Sequence, residues 1–256
     1  MSDETAVLTE RRGAVLLITL DRPDQRNAVN AALAAGLAAA QDELDGDGEL
    51  RAGVITGAGK GFCAGMDLKA FVAGESPYAG GRGFAGIAER PAEKPLIAAV
   101  EGFAVAGGLE VALACDLIVA ASGAKLGIPE VKRGLVAAAG GLLRLPERLP
   151  RGVAMEMALT GEPLDAERAH QLGLVNRLVD PGGAVAAALE LAEAIAANGP
   201  LATAASKRIL VESPAWSAAE VWERQREISG PITASDDARE GATAFAEKRP
   251  PVWRGR

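Results

Sequence analysis

Large rings are scarce in this chain: Phe, Trp and Tyr together make up 4% of its 256 residues, so a core must be filled mainly by Ala, Val, Leu and Ile. Cysteine is scarcer still. Cys63 and Cys115 are too few and too differently placed for a disulfide framework or a metal site. The one histidine, His170, falls in a stretch that reads as a helix ending at Gly173 before a strand, where capping the helix C-terminus is its expected role. A serine–histidine hydrolase and a histidine-based zinc centre therefore lack their parts, and no metal is expected. No apolar run reaches the length of a membrane span, and Met1-Ser2-Asp3-Glu4 has neither the basic nor the apolar region of a signal peptide. The expectation is a cytoplasmic protein with no membrane partner. A net charge of −7 argues against nucleic acid as a partner, while leaving room for a local basic patch around an anionic cofactor. Gly57-Ala58-Gly59-Lys60-Gly61-Phe62 is not a nucleotide loop either, because Lys60 is followed by Gly61 rather than Ser or Thr, and it does not fit GxGxxG.

What the chain does hold is apolar residues, 49% of the total, enough for one large domain or one domain with a small appendage. Residues 7–20 read as two strands broken at Arg11-Arg12-Gly13. Asn30 is placed to cap an Ala-rich helix running to about Leu44, and residues 53–56 read as the next strand. Residues 73–90 contain five glycines and read as a mobile loop with a short helix near 84–90. Strand, turn and helix alternate again through 117–120, 125–128 and 140–149. From residue 184 onward the pattern is helical only, at 184–197, 201–211, 218–228 and 236–248. These readings predict an α/β core over residues 1–199 and a helical region over 200–256, divided at Gly199-Pro200. Val221, Trp222, Ile228 and Phe245 give the last helices apolar faces with little chain left to cover them. Those faces pack on their own core or on another subunit.

The chemistry is concentrated in two segments. An apolar run from Pro95 to Val100 leads through Glu101-Gly102-Phe103 into Ala106-Gly107-Gly108, and the apolar residues after it read as a buried helix. Gly107 then sits at or near a helix N-terminus, whose N–H groups lack intrahelical partners and favour developing negative charge. Glu110 follows within the first turn, in surroundings apolar enough to raise its pKa toward general acid–base work. A second carboxyl, Glu130 in Gly127-Ile128-Pro129-Glu130, lies twenty residues on. Upstream, Gly61-Phe62-Cys63-Ala64-Gly65-Met66-Asp67-Leu68 forms another glycine-bearing turn. Two converging N–H donors and two carboxyl groups suit proton transfer beside a thioester carbonyl.

FCAGMDL, then GFAVAGGLEVALACDLIVA, then LGIPEVKRGL and a GGLLRL helix start resemble the crotonase (enoyl-CoA hydratase/isomerase) superfamily. The resemblance extends to Asp21-Arg22-Pro23 and Arg26-Asn27-Ala28-Val29-Asn30 at the front, and to residues 236–249 at the back, where DDAREG and AFAEKR stand. It implies a spiral of repeated ββα units with a helical C-terminal region, assembled as a homotrimer or a dimer of trimers. It implies, too, an oxyanion hole made by the N–H groups of Met66 and Gly107, with Glu110 chiefly activating water and Glu130 chiefly protonating the α-carbon. The substrate implied is an acyl-CoA thioester; coenzyme A enters as part of it, and no prosthetic group is required. Lys60 and Lys69, with Arg26 as a weaker candidate, are placed to reach the CoA phosphates, and Lys248 to reach the CoA of a neighbouring subunit. The backbone around Ala28, Ala64 and Leu68 is the expected adenine and pantetheine cradle, with Asp67 ordering the turn.

Hydration of a 2-enoyl-CoA is the leading expectation. Double-bond isomerisation, which can operate with one glutamate, and non-catalytic acyl-CoA binding are the alternatives. One departure bears on the choice: where hydratases of this family tend to carry PGAGGTQRL, this chain has Ala137-Ala138-Ala139-Gly140-Gly141-Leu142-Leu143-Arg144-Leu145. The pocket beside Glu130 should be more apolar as a result.

Overall fold

A computed structural model describes residues 5–256. Met1-Ser2-Asp3-Glu4, on which the signal-peptide reading rests, lie outside the described residues. The chain opens with an antiparallel hairpin, β1 (Val7–Arg12) and β2 (Val15–Leu20), turning at Gly13. Asn30 then caps α1 (Ala31–Gly46), its side-chain oxygen accepting the Leu33 N–H at 3.1 Å.

Three successive units follow, each sending its first strand into a large sheet and its second segment toward a small one. The first has β3 (Ala52–Gly57), an isolated bridge at Cys63, and α2 (Leu68–Val72). The second has β4 (Leu96–Val100), β5 (Phe103–Val105) and α3 (Gly107–Ala114). The third has β6 (Leu117–Ala121), β7 (Lys125–Gly127) and a 3₁₀ turn over Pro129–Arg133. After them come α4 (Gly141–Arg148), α5 (Arg151–Thr160), β8 (Leu164–Asp165), α6 (Ala166–Gln171) and β9 (Arg177–Val179). The large sheet is ordered β1-β2-β3-β4-β6-β9 and is parallel from β2 onward; the small one is β5-β7-β8, with Cys63 bridging to Ala104 beside it. This is the ββα spiral that the sequence resemblance implies.

A parallel sheet covered on both faces needs strands apolar on both sides, and β4 is buried at all five positions. Alternate residues then serve different layers. Ile18, Ile55, Ala98, Val100 and Ile118 join the core shared with α1 and α3. Leu17, Val54, Ile97, Ala99 and Val119 face α7 (Ala184–Ala196), which answers with Ala184, Ala188 and Ala192. The small side chains let the helix lie close to the sheet, in keeping with a composition short of rings.

The chain ends in α8 (Pro200–Glu212), α9 (Val221–Thr233) and α10 (Asp236–Glu247). Lys207 anchors this part, donating to Asp116 and to the Lys94 carbonyl at 2.7 and 2.8 Å. Trp253 in the last segment donates to the Ala197 carbonyl at 2.8 Å. Leu210, Trp222 and Phe245 stay exposed on the single chain. No single helix among the described residues is long and apolar enough to cross a membrane.

Two local expectations need correcting. Residues 84–90 form no helix: Gly83, Ala85 and Gly86 all have positive φ, which breaks helical continuity, and residues 82–88 are buried rather than a free surface loop. His170 does not cap α6; its Nδ1 lies 2.8 Å from the Val175 carbonyl, so the ring ties down the turn after the helix.

Candidate active site

Gly107 is the first residue of α3, as its place in the sequence predicts. Its N–H is presented by Ala106, a non-glycine residue held at φ 53°, ψ −135°. Such backbone costs roughly 1–3 kcal/mol and persists where surrounding bonds enforce it; here the Ala106 N–H is bound to the Gly127 carbonyl at 2.8 Å and the Val105 N–H to the Cys63 carbonyl at 3.1 Å.

Met66 arrives opposite by an equally specific route. The Val29 N–H donates to the Gly65 carbonyl and the Asp67 N–H to the Val29 carbonyl, at 2.7 and 2.9 Å, forming a parallel bridge between Val29 and Met66. In that geometry the N–H of Met66 points away from Val29. Gly65, at φ 92°, brings the two segments together: a Cβ there would lie 2.9 Å from the Gly107 nitrogen. The peptide that carries the Met66 N–H therefore adjoins the start of α3. The Phe84 ring covers the other side of Gly107, where a Cβ would come within 2.6 Å of it.

Asn27 and Arg22 organise this front turn, a role the sequence reading did not assign. Asn27 is fully buried; its Nδ2 serves the carbonyls of Ala58, Gly61 and Phe62 at 2.9, 2.9 and 3.1 Å, and its Oδ1 accepts from the Arg22 N–H. Arg22 pairs with Asp67 at 3.0 Å and donates to the Ala28 carbonyl. Asp67 in turn caps α2 by accepting from the N–H groups of Lys69 and Ala70. Burial pushes the Asp67 carboxyl up, but the Ala70 N–H and the Arg22 guanidinium outweigh it and hold it below the usual range. Ala64 joins the same cluster through its N–H to the Arg26 carbonyl at 3.1 Å. Cys63 is buried and its thiol is pushed up to about 12 by desolvation, which leaves it inert as a nucleophile.

The two glutamates meet on the other side. Glu110 is 3% exposed, and its Oε1 accepts from the Ala139 N–H at 2.7 Å and the Gly141 N–H at 2.9 Å. Desolvation raises its pKa, against the opposing pull of those N–H groups and of Arg144. Glu130 sits in the 3₁₀ turn with its Oε2 buried and without a protein partner among the described residues. Its pKa is raised by burial and further by the charge of Glu110, with its own N–H and Arg133 acting the other way. The charge of Glu110 thus reaches Glu130 across the site.

The loop that departs from the family's usual pattern thus acts through its backbone. Changed side chains at 137 and 138 leave the N–H groups of Ala139 and Gly141 in place. Those two N–H groups hold the carboxylate of Glu110.

Of the residues expected at coenzyme A, Ala28, Ala64, Asp67 and Leu68 lie on the front turn, and Lys60 and Lys69 are exposed beside it. Lys248 is not brought to them within one chain: it closes α10 at φ 55°, and that helix packs on α9.

The model of the enoyl-CoA hydratase/isomerase family matches residues 10–256. A carnitinyl-CoA dehydratase from Salmonella enteritidis is 45% identical, with 96% of this chain and 97% of the relative covered. The solved enoyl-CoA hydratase from Mycobacterium tuberculosis is 58% identical and superposes with a TM-score of 0.97 over 99% of this chain and 100% of that one. A carnitinyl-CoA hydratase from Mycobacterium avium is 50% identical at a TM-score of 0.80, with 99% and 100% covered. With the spiral fold and the paired carboxyls already in view, these matches along nearly the whole chain establish that the protein belongs to the enoyl-CoA hydratase/isomerase family.

Proposed function

We propose that the protein is a 2-enoyl-CoA hydratase that uses both glutamates on one water. The observation that carries this reading is the asymmetry between the buried Glu110 carboxyl and the half-buried Glu130 carboxyl. Glu110 receives two backbone N–H groups, which favour its charged form; Glu130 has a buried, unpartnered oxygen and feels the charge of Glu110, which favours its protonated form. Of the two, Glu130 is therefore the one assigned to carry the proton that the reaction delivers, and Glu110 the one assigned to accept.

Addition then runs in one direction around the site. Glu110 takes a proton from water as the water oxygen bonds to the β-carbon. The π electrons move toward the thioester oxygen, where the N–H groups of Met66 and Gly107 stabilise the enolate. Glu130 delivers its proton to the α-carbon as the carbonyl re-forms. Run backwards, the same steps dehydrate a 3-hydroxyacyl-CoA, so the dehydratase and hydratase names among the relatives describe one chemistry.

Ala28, Ala64 and Leu68 would cradle the adenine and pantetheine, with Lys60 and Lys69 near the phosphates. Lys248 would serve a neighbouring subunit in a trimer or dimer of trimers.

The test is a series of enoyl-CoA thioesters of graded chain length, followed by loss of the conjugated thioester absorbance. Hydration of at least one member is expected. Binding without water addition at any length would turn the assignment to isomerase or carrier.

A further inference from the structure

Arg144 takes part in none of the steps above, yet its side chain connects the two sides of the site. Its Nη1 approaches the Ala139 carbonyl at 3.4 Å and its Nη2 donates to the Ala88 carbonyl at 2.6 Å. Ala139 is the residue whose own N–H holds Glu110. Ala88 ends the buried turn that carries Phe84 over Gly107, and the Ala88 N–H is bonded to the Phe84 carbonyl at 3.1 Å. The guanidinium lies so close over Gly140 that a Cβ at that position would sit 2.1 Å from Nη1. A planar guanidinium presents a separate nitrogen to each carbonyl in a fixed fork, where an ammonium has one nitrogen on a flexible stem.

We propose that Arg144 is a positioning residue that clamps the Glu110-holding loop to the Phe84 turn, fixing the general base relative to the oxyanion donors.

The assignment rests on the hydratase reading for its effect on turnover, but not for its effect on Glu110 itself. Around Glu110, β4 and β5 carry no ionisable side chain. The adjoining α4 carries Arg144, Glu147 and Arg148, of which Arg144 acts on Glu110. Beyond these, Glu130 on the 3₁₀ turn feels the charge of Glu110 and that of Arg133. Removing the Arg144 cation takes away an attraction for the ionised form, so Glu110 should hold its proton to higher pH. In an enzyme that needs Glu110 ionised, the acid limb of the rate profile moves the same way.

The experiment follows the carboxyl carbon of Glu110 by NMR in protein carrying labelled glutamate, with Glu110→Gln identifying the signal, alongside kcat and KM. For Arg144→Met, the midpoint should move upward and kcat should fall about 10-fold to 100-fold, as expected for a misplaced catalytic group, while KM changes less than about threefold. Arg144→Lys keeps a cation but replaces the two nitrogens that reach Ala139 and Ala88 with one. Its midpoint should stay near the unmodified value while kcat recovers only in part.

If Arg144→Met fails to fold, the lysine variant decides, because full kcat there would show that the two-nitrogen fork is unnecessary. An unmoved midpoint in folded Arg144→Met overturns the proposal, including the case where turnover falls equally at every pH, which is what a merely structural role produces. If the unmodified protein hydrates nothing while the midpoints move as stated, the hydratase reading fails and the positioning of Glu110 stands.

Discussion

The front turn, from Arg22 to Asp67, and the rear loop, from Ala137 to Gly141, each bring N–H groups into the site, but they are held in different ways. In front, side chains do the holding: the two hydrogens of the Asn27 amide are shared among three carbonyls, and Arg22 pairs with Asp67. Behind, Ala137, Ala138 and Ala139 have only methyl groups, and the useful contacts come from the main chain of Ala139 and Gly141. A side-chain scaffold ties geometry to residue identity. A main-chain scaffold ties it to backbone conformation, and so can exchange its side chains while keeping its chemistry.

The largest expected effect comes from removing what the rear loop holds. Glutamine at either Glu110 or Glu130 keeps the volume but cannot exchange a proton at neutral pH, and each change should cut hydration by about 100-fold to 10,000-fold. Acyl-CoA affinity, measured by calorimetry, should change little. Full hydration activity in either variant would remove that residue from the mechanism. If Glu110→Gln is tolerated while Glu130→Gln is not, the reaction is isomerisation.

Next in size is the donor supplied where front and rear meet. Gly107→Pro deletes one N–H at a first helical position that tolerates proline, and loss of such a donor costs about 100-fold to 1,000-fold in turnover. The Phe84 ring complicates that substitution, since any Cβ at 107 would press on it. Gly107→Ala carries the same Cβ crowding but retains the N–H, so the difference between the alanine and proline variants reports the donor together with the restriction that proline places on Ala106. Equal kcat in the two would exclude Gly107 from the oxyanion hole.

A smaller effect tests the comparison itself. Asn27→Ala leaves several buried groups without partners, which should cost about 2–4 kcal/mol of stability in urea unfolding. Ala138→Ser in the rear loop should stay within about 0.5 kcal/mol, as for an exposed site. Similar losses in both variants would erase the distinction between the two scaffolds.

The same distinction explains what could be read from sequence. Features set by near neighbours were legible: the apolar strands, the Asn30 cap, the helix start at Gly107, and both glutamates by resemblance. The buried turn at residues 82–88 was not, because its burial depends on a distant partner; a Cβ at Gly86 would meet the Ala34 carbonyl of α1 at 2.4 Å. Asn27 and Arg144 escaped for a related reason. Beside one partner each five residues off, the partners that give them their roles lie 31 to 35 and 56 residues away, beyond any helical or strand period. An asparagine inside a turn, where positive φ is tolerated, was the one available signal for Asn27, and its φ is 55°.

The smallest effect concerns stability and pH, and it should have opposite signs in the two regions. Glu130 has a raised pKa in the folded protein, so as pH climbs through the ordinary carboxylate range, about 4.3, the unfolded chain releases this proton first and the folded state loses stability. Asp67 has a lowered pKa, so its contribution is present above its ordinary range and lost as pH falls through the folded value. Glu130→Gln should therefore unfold at a higher temperature than the unmodified protein near neutral pH, with the gain shrinking toward zero in acid. Asp67→Asn should unfold at a lower temperature near neutral pH, with the loss shrinking in acid. Thermal unfolding of the three proteins from about pH 2 to about pH 8 covers both slopes. The rear carboxyl would then be one whose burial is maintained against stability for proton transfer, and the front carboxyl one whose ionisation holds the fold. A Glu130→Gln protein that is less stable at every pH would mean that this carboxyl, too, is part of the scaffold.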